Sequence, residues 1–361
     1  MKNKNYFFLI LITCYTLLLL FFPSDSIDAA KAALKICSAS LVPSLFPFFV
    51  CSNIIINLGG ATFLAKLLSP IMKPLFNLSG GCALPMVMGF ISGYPVGAKT
   101  AADLYTSGSC SKQECEKVLA FCNNSGPMFI LAALGSNMLG DPAIGRLLYF
   151  SHILSSLSVA FIMRFLPSAY IDTKKEPSKK RFKEFGEVFS DAVSSSAMLT
   201  LTVCGFVIFF SILISFIEKL NVIGVLASLG LDYSLLKSFI YGFFECSGGC
   251  FSAVSATENP LLKYILLSAI LAWSGISVHL QVLGIIKKAK LSSKLYFKGK
   301  VLMTIISPAI TFFLYSFTND RALLFPFVKT VLFLVILFFI LYKILSTLKR
   351  TYLKHPALPP R

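Results

Sequence analysis

Charge is scarce in this sequence: 14% of its 361 residues are charged against 56% hydrophobic, and the mean hydropathy is +0.78. That balance excludes a water-soluble globular chain and a disordered one, and indicates a polytopic membrane protein. Uninterrupted polar sequence is equally short. The longest hydrophilic stretch, 167–187, falls far below the about 100 residues of a soluble domain, so no ATPase, kinase or receptor domain fits. One tryptophan stands against 35 phenylalanines, aromatic mass suited to lipid-facing and interfacial packing rather than to a platform for stacked bases. The three histidines are scattered, and the ten cysteines form no CxxC pair or Cys/His cluster of zinc-ligand spacing; no metal and no cofactor is expected. The sequence also lacks GxxxxGK[ST], HExxH, GxSxG and GxGD, so it reads as a non-enzyme.

What is present is a series of apolar runs. A helix needs about 20 residues to cross a hydrocarbon core, and eight runs qualify: 6–22, 39–58, 118–138, 143–166, 192–217, 261–286, 300–318 and 322–346. The first, after Lys2 and Lys4, is longer than a signal-peptide core and reads as an uncleaved anchor. Two further stretches, 82–97 and 235–251, are short and broken by glycines. If both enter and return as re-entrant hairpins, 21 Lys and Arg fall on the cytoplasmic side and five outside. The excess of 33 basic over 16 acidic residues therefore reports orientation, with both termini cytoplasmic, rather than a nucleic-acid partner. The basic runs 174–183 and 287–300 read as solvated cytoplasmic loops.

The chain also resembles itself. GFISG from Gly89 matches GFFECSGG from Gly242, and SGPMFILAALG from Ser125 matches SGISVHLQVLG from Ser274. Each copy runs crossing helix, Gly-broken hairpin, helix with an internal Ser-Gly, crossing helix. The number of preceding crossings gives the copies opposite orientation, the inverted-topology plan of many secondary transporters. The expected fold class is thus an all-α polytopic membrane protein: an inverted repeat with two re-entrant hairpins and about eight crossings. The parts are an anchor and external loop (1–34), repeat 1 (35–166), a basic cytoplasmic loop (167–190), repeat 2 (191–318), and a last helix with a basic tail (319–361).

Irregular backbone at membrane depth survives only where protein or a water-filled cavity supplies hydrogen-bond partners, so the breaks point at the site. In the first hairpin, Ser92, Gly93, Pro95 and Gly97 end one arm and Lys99 begins the return. Lys99 either lies deep and needs a carboxylate, carbonyls or substrate, or reaches the cytoplasmic interface. In the second, Glu245 precedes Gly248 and Gly249. It binds a cation or proton, pairs with Lys99, or serves as a structural acid. The following helices carry Asn123, Asn124, Gly126 and Pro127 in one copy, and Ser274, Gly275, His279 and Gln281 in the other, groups suited to a polar solute or ion or to interhelical hydrogen bonds. His152 reads as structural.

GFISGYPVGAK (89–99), NNSGPMFI (123–130) and GFFE followed by SGG (242–249) resemble the YlbJ-like sporulation integral membrane proteins of the nucleoside-recognition, or gate, superfamily. The resemblance covers roughly 35–315 and departs from the family pattern at Trp273-Ser274 and at Cys246. It implies a plasma-membrane protein of an endospore-forming bacterium, made in the mother cell and needed for spore cortex formation, with a gate fold related to concentrative nucleoside transporters. Its expected partners are the lipid bilayer, an unknown small polar solute or ion, and other sporulation membrane proteins. The function expected is a transporter-like pathway, with a non-transporting assembly or scaffold factor as the alternative.

Overall fold

A computed structural model describes residues 2–166 and 184–317. Two compact units divide the chain, Met1–Phe313 and Leu314–Arg361; of the second, 314–317 fall within the described residues. The described residues are helical, without a strand. In order they form α1 (Lys2–Phe21), α2 (Pro23–Ile36), α3 (Val42–Asn57), α4 (Gly60–Ile71), α5 (Ala83–Ile91), α6 (Val96–Thr106) and α7 (Lys112–Leu119). A wide-wound π segment, Phe129–Met138, precedes α8 (Pro142–Met163), α9 (Phe185–Lys219) and α10 (Val222–Ala227). There follow α11 (Tyr233–Phe244), α12 (Cys246–Val254), α13 (Pro260–Trp273), α14 (Gly275–Lys288) and α15 (Lys294–Phe317).

Local chemistry sets several starts. Asp141 accepts from the amide of Ala143 at 3.0 Å ahead of α8, Asp232 from that of Leu235 at 2.8 Å in α11, and Asn259 from that of Leu262 at 3.2 Å in α13. Pro142 and Pro260 occupy first-turn positions where a missing N–H costs nothing. Outer faces stay apolar, with Met198, Leu201 and Ile305 each about two-thirds exposed, which suits hydrocarbon as the solvent.

Among the described residues, five helical stretches are long and apolar enough to cross a membrane: Pro23–Asn57, Pro142–Met163, Phe185–Lys219, Pro260–Lys288 and Lys294–Ser316. The pair Phe63–Phe76 and Gly80–Ile91, bent by 111°, makes a sixth if it counts as one span. Five of the eight expected crossings fall in these stretches. The run 118–138 is not one helix: α7 ends at Leu119 and winding resumes near Pro127, because the polar Asn-Asn-Ser-Gly stretch lies unwound between them. Of the first run, Leu9–Phe21 forms an apolar helix among the described residues. The run 322–346 lies outside the described residues, as does most of the loop 167–190.

The two glycine-rich stretches each fold back as a pair of short helices, α5 with α6 and α11 with α12. Their arms touch backbone to backbone at matching places. A methyl on Gly97 would stand 3.0 Å from Gly89 Cα, and one on Gly249 would collide with Gly242 Cα. Only glycines, which carry no Cβ, permit that approach.

Candidate functional site

Each hairpin tip lies against the break of the helix that follows it. In the first half the Tyr94 amide donates to the Asn124 carbonyl at 2.8 Å, and a methyl on Gly93 would stand 2.6 Å from the Gly126 nitrogen. In the second half Ser274 and Gly275 both take left-handed backbone, with φ of 74° and 84°. A methyl on Gly275 would stand 3.0 Å from Glu245 Cα and from the Cys246 nitrogen. The halves then meet: Ser125 Oγ donates to the Leu271 carbonyl at 3.3 Å, and the Tyr94 side chain reaches Ser125, Cys246 and Glu245. Four interruptions of helix thus share one buried centre.

That centre holds polar atoms with no hydrogen-bond partner among the described residues. They are Ser92 Oγ, both amide atoms of Asn123, Asn124 Oδ1, His152 Nδ1 and His279 Nε2; Gln281 Oε1, on a half-buried residue of α14, is also unpartnered. Asn123, Asn124 and His152 are each 1% exposed. Buried polar groups are almost always paired, so a cluster of unpaired ones marks a place where water or a ligand completes the set. The remaining atoms of these side chains are engaged. Asn124 Nδ2 donates to the Phe121 carbonyl at 2.8 Å, and His279 Nδ1 lies 2.6 Å from the Tyr296 hydroxyl with its ring edge-on to Trp273.

Glu245 is buried but self-contained. Its carboxylate accepts from the amides of Ser247 at 2.9 Å and Gly248 at 2.6 Å, closing the N-terminus of α12. The expected pair with Lys99 is not formed. α6 turns Ala98, Ala101 and Ala102 inward, which leaves Lys99 on its exposed side.

A different lysine is inside. Lys300, assigned from sequence to a solvated basic loop, is 2% exposed; its ammonium donates to Ser274 Oγ at 2.9 Å and to the Ala272 carbonyl at 3.2 Å. A signal was available in the periodicity of α15, where Tyr296, Lys300, Met303, Ser307 and Thr311 are buried at spacings of three and four. His152 has the structural role expected of it. Its Nε2 accepts from the Ser125 amide at 3.1 Å, so it braces the first break directly. The serines that share its buried face, Ser151, Ser155 and Ser156, form the pattern that gives it away.

A cleft of about 850 Å³ lies between α2, α9, α11 and α12. Asp25, Ser215, Glu218, Lys237 and Tyr241 line it, and it reaches Gly248, whose amide holds Glu245. Two ion pairs lie along it, Lys219 to Asp25 at 3.2 Å and Lys237 to Glu218 at 2.6 Å.

Comparison with known proteins follows the same lines. The gate family model, described as nucleoside recognition, matches residues 38–170. The chain is 32% identical over 321 residues to the sporulation integral membrane protein YlbJ of Bacillus subtilis (strain 168), covering 81% of this chain and 78% of that protein. Its fold is similar to two structures of CNTnw. A single-site variant of CNTnw in its intermediate 3 state gives a TM-score of 0.54 at 13% identity, covering 88% of this chain and 86% of that one. The inward-facing substrate-bound state gives 0.52 at 12%, covering 78% and 75%.

Proposed function

Because this chain belongs to the family of the sporulation integral membrane protein YlbJ, we propose that it forms a gate-type, transporter-like pathway in the bacterial plasma membrane, needed for spore cortex formation. A small polar solute or ion passes through the centre where the four breaks converge. The two halves act as inverted copies whose hairpins enter and leave the bilayer on one side, and both termini are cytoplasmic, a reading supported by the lysine and arginine distribution. The protein acts in the mother-cell membrane, with no cofactor and no catalytic step. Access alternates by rocking of one half on the other or by opening of a hairpin.

One observation carries this reading: the unpartnered polar atoms of Ser92, Asn123, Asn124, His152 and His279 beside the breaks. Leaving such a group unpaired costs about 1–3 kcal/mol, a cost that a passing solute or water offsets. The cleft ending at Gly248 offers an approach to the second hairpin, and the likeness to CNTnw supports a fold that visits more than one access state.

The test is genetic and chemical together. A spore-forming strain lacking its own copy receives wild type, Asn123→Leu or Ser92→Ala, with membrane levels checked by immunoblot. Heat-resistant spore counts should collapse with the centre variants, and solute uptake screened in proteoliposomes should fall in parallel. Normal spores from both variants, combined with failure when exposed loops are altered, would replace the pathway by an assembly factor for other spore-envelope proteins. Cysteine labelling at positions 103 and 174 checks orientation, both being expected on the cytoplasmic side.

A further inference from the structure

The Lys300 ammonium is the feature of the centre that the pathway reading leaves unused. It sits at the C-terminal end of α13, where the helix stops and its last carbonyls lose their intrahelical donors. Those carbonyls are claimed one by one. Ile270 O accepts from the Ser274 amide at 2.8 Å, Leu271 O from Ser125 Oγ at 3.3 Å, and Ala272 O from Lys300 at 3.2 Å. The Ser274 hydroxyl completes the ammonium's contacts at 2.9 Å. Gly299 makes this position possible: a side chain there would collide with the Ala120 carbonyl, so α15 lies directly on the chain entering the first break.

The groups that face Lys300 are neutral ones. The Cys122 and Cys246 thiols and the imidazoles of His152 and His279 are within its electrostatic reach, and no carboxylate lies within ion-pair distance among the described residues. A buried ammonium in a membrane protein normally has an acidic partner. Here its surroundings are a helix-end carbonyl and a hydroxyl beside the negative end of a helix dipole, which is the ligand chemistry by which broken helices of transporters hold a monovalent cation.

We propose that Lys300 is a tethered cation: its terminal nitrogen fills, at the end of α13, the place of a free monovalent ion, so the second break is completed by the chain and binds no ion from solution. The inference stands on the geometry of the break and is independent of whether a solute passes. Its consequence for any transport is that the second half contributes no sodium or potassium dependence of its own.

The experiment is chemical rescue, read by stability rather than transport. Purified wild type, Lys300→Ala and Lys300→Arg are melted in detergent at constant ionic strength with choline, sodium, potassium, propylammonium or tetramethylammonium chloride. Lys300→Ala should melt several degrees lower in choline and regain most of that loss with sodium or propylammonium. Tetramethylammonium, which has no N–H and is too bulky for the break, should not restore it. Wild type and Lys300→Arg should be indifferent to the cation. A Lys300→Ala protein that melts like wild type in choline overturns the proposal, as does one whose loss no cation reverses. If Lys300→Ala fails to accumulate in membranes, Lys300→Met decides: its absence together with normal Lys300→Arg supports a required charge, and its accumulation with wild-type melting in choline refutes one.

Discussion

The two helix breaks occupy corresponding places in the two halves and are finished differently. At the first, Asn123 leaves both amide atoms and Asn124 its carbonyl oxygen without a partner, while His152 braces the backbone from behind. At the second, a serine hydroxyl and a helix-end carbonyl are closed off by Lys300. One break is left open to be completed, and the other is completed by the chain. A third polar cluster sharpens the contrast. Glu114 accepts from the amides of Ser79 at 2.8 Å and Ser111 at 3.0 Å while Ser111 caps α7 in return, an arrangement that spends its hydrogen bonds on holding a loop to a helix. Burial of polar groups alone therefore does not set the first break apart; unspent hydrogen-bonding capacity does.

The contrast can be broken from either side. The largest effect should come from Gly89→Ala, whose methyl would collide with the Cys122 carbonyl, displacing the first break from its hairpin. Membrane accumulation should be lost, and normal accumulation with normal sporulation would show that the contact tolerates separation. Next, Lys300→Met removes the charge from the closed break and should destabilise the protein by about 3 kcal/mol or more, the scale of breaking a buried polar network. Thermal melting checks this. Asn123→Leu acts on the open break and should separate the two properties. Stability should change by less than about 1 kcal/mol because no hydrogen bond is lost, while heat-resistant spores fall at least tenfold; a fall in melting temperature matching that of Lys300→Met would erase the distinction. Smaller still is Glu218→Gln, which breaks the part-exposed pair with Lys237 along the cleft and should cost about 0–1 kcal/mol. Lys99→Met, on an exposed face, should leave both melting and sporulation unchanged.

Much of the centre was legible in the sequence because its makers are residues with few other reasons to lie inside apolar runs. Glycine pairs at 89 and 97 and at 242 and 249 announced the hairpins, and Asn-Asn-Ser-Gly-Pro announced an unwound stretch. Composition could not say which side of a helix faces inward. Of the two places the sequence leaves open to Lys99, the deep one is held by the alanines beside it, and the lysine lies on the exposed face. Lys300 was assigned to solvent because it ends a run of lysines, and the period of α15 that buries it crosses the boundary between basic and apolar sequence. Glu245 was rightly placed in the interior, but a carboxylate one position before a helix also has the option of capping that helix, and it takes it.

The glycine contacts bear on what can move. Gly89 and Gly97 both press on the Cys122 carbonyl, so the first hairpin is seated backbone on backbone against the open break. Gly242 instead meets the side chain of Ile270, whose rotamers can yield. The first hairpin thus meets its break backbone on backbone at Gly89, Gly93 and Gly97, while the second does so at Gly275 with the yielding Ile270 side chain beside it. If either hairpin parts from its break, the one seated against the asparagines has the more rigid joint to undo, and the one that carries the glutamate the softer.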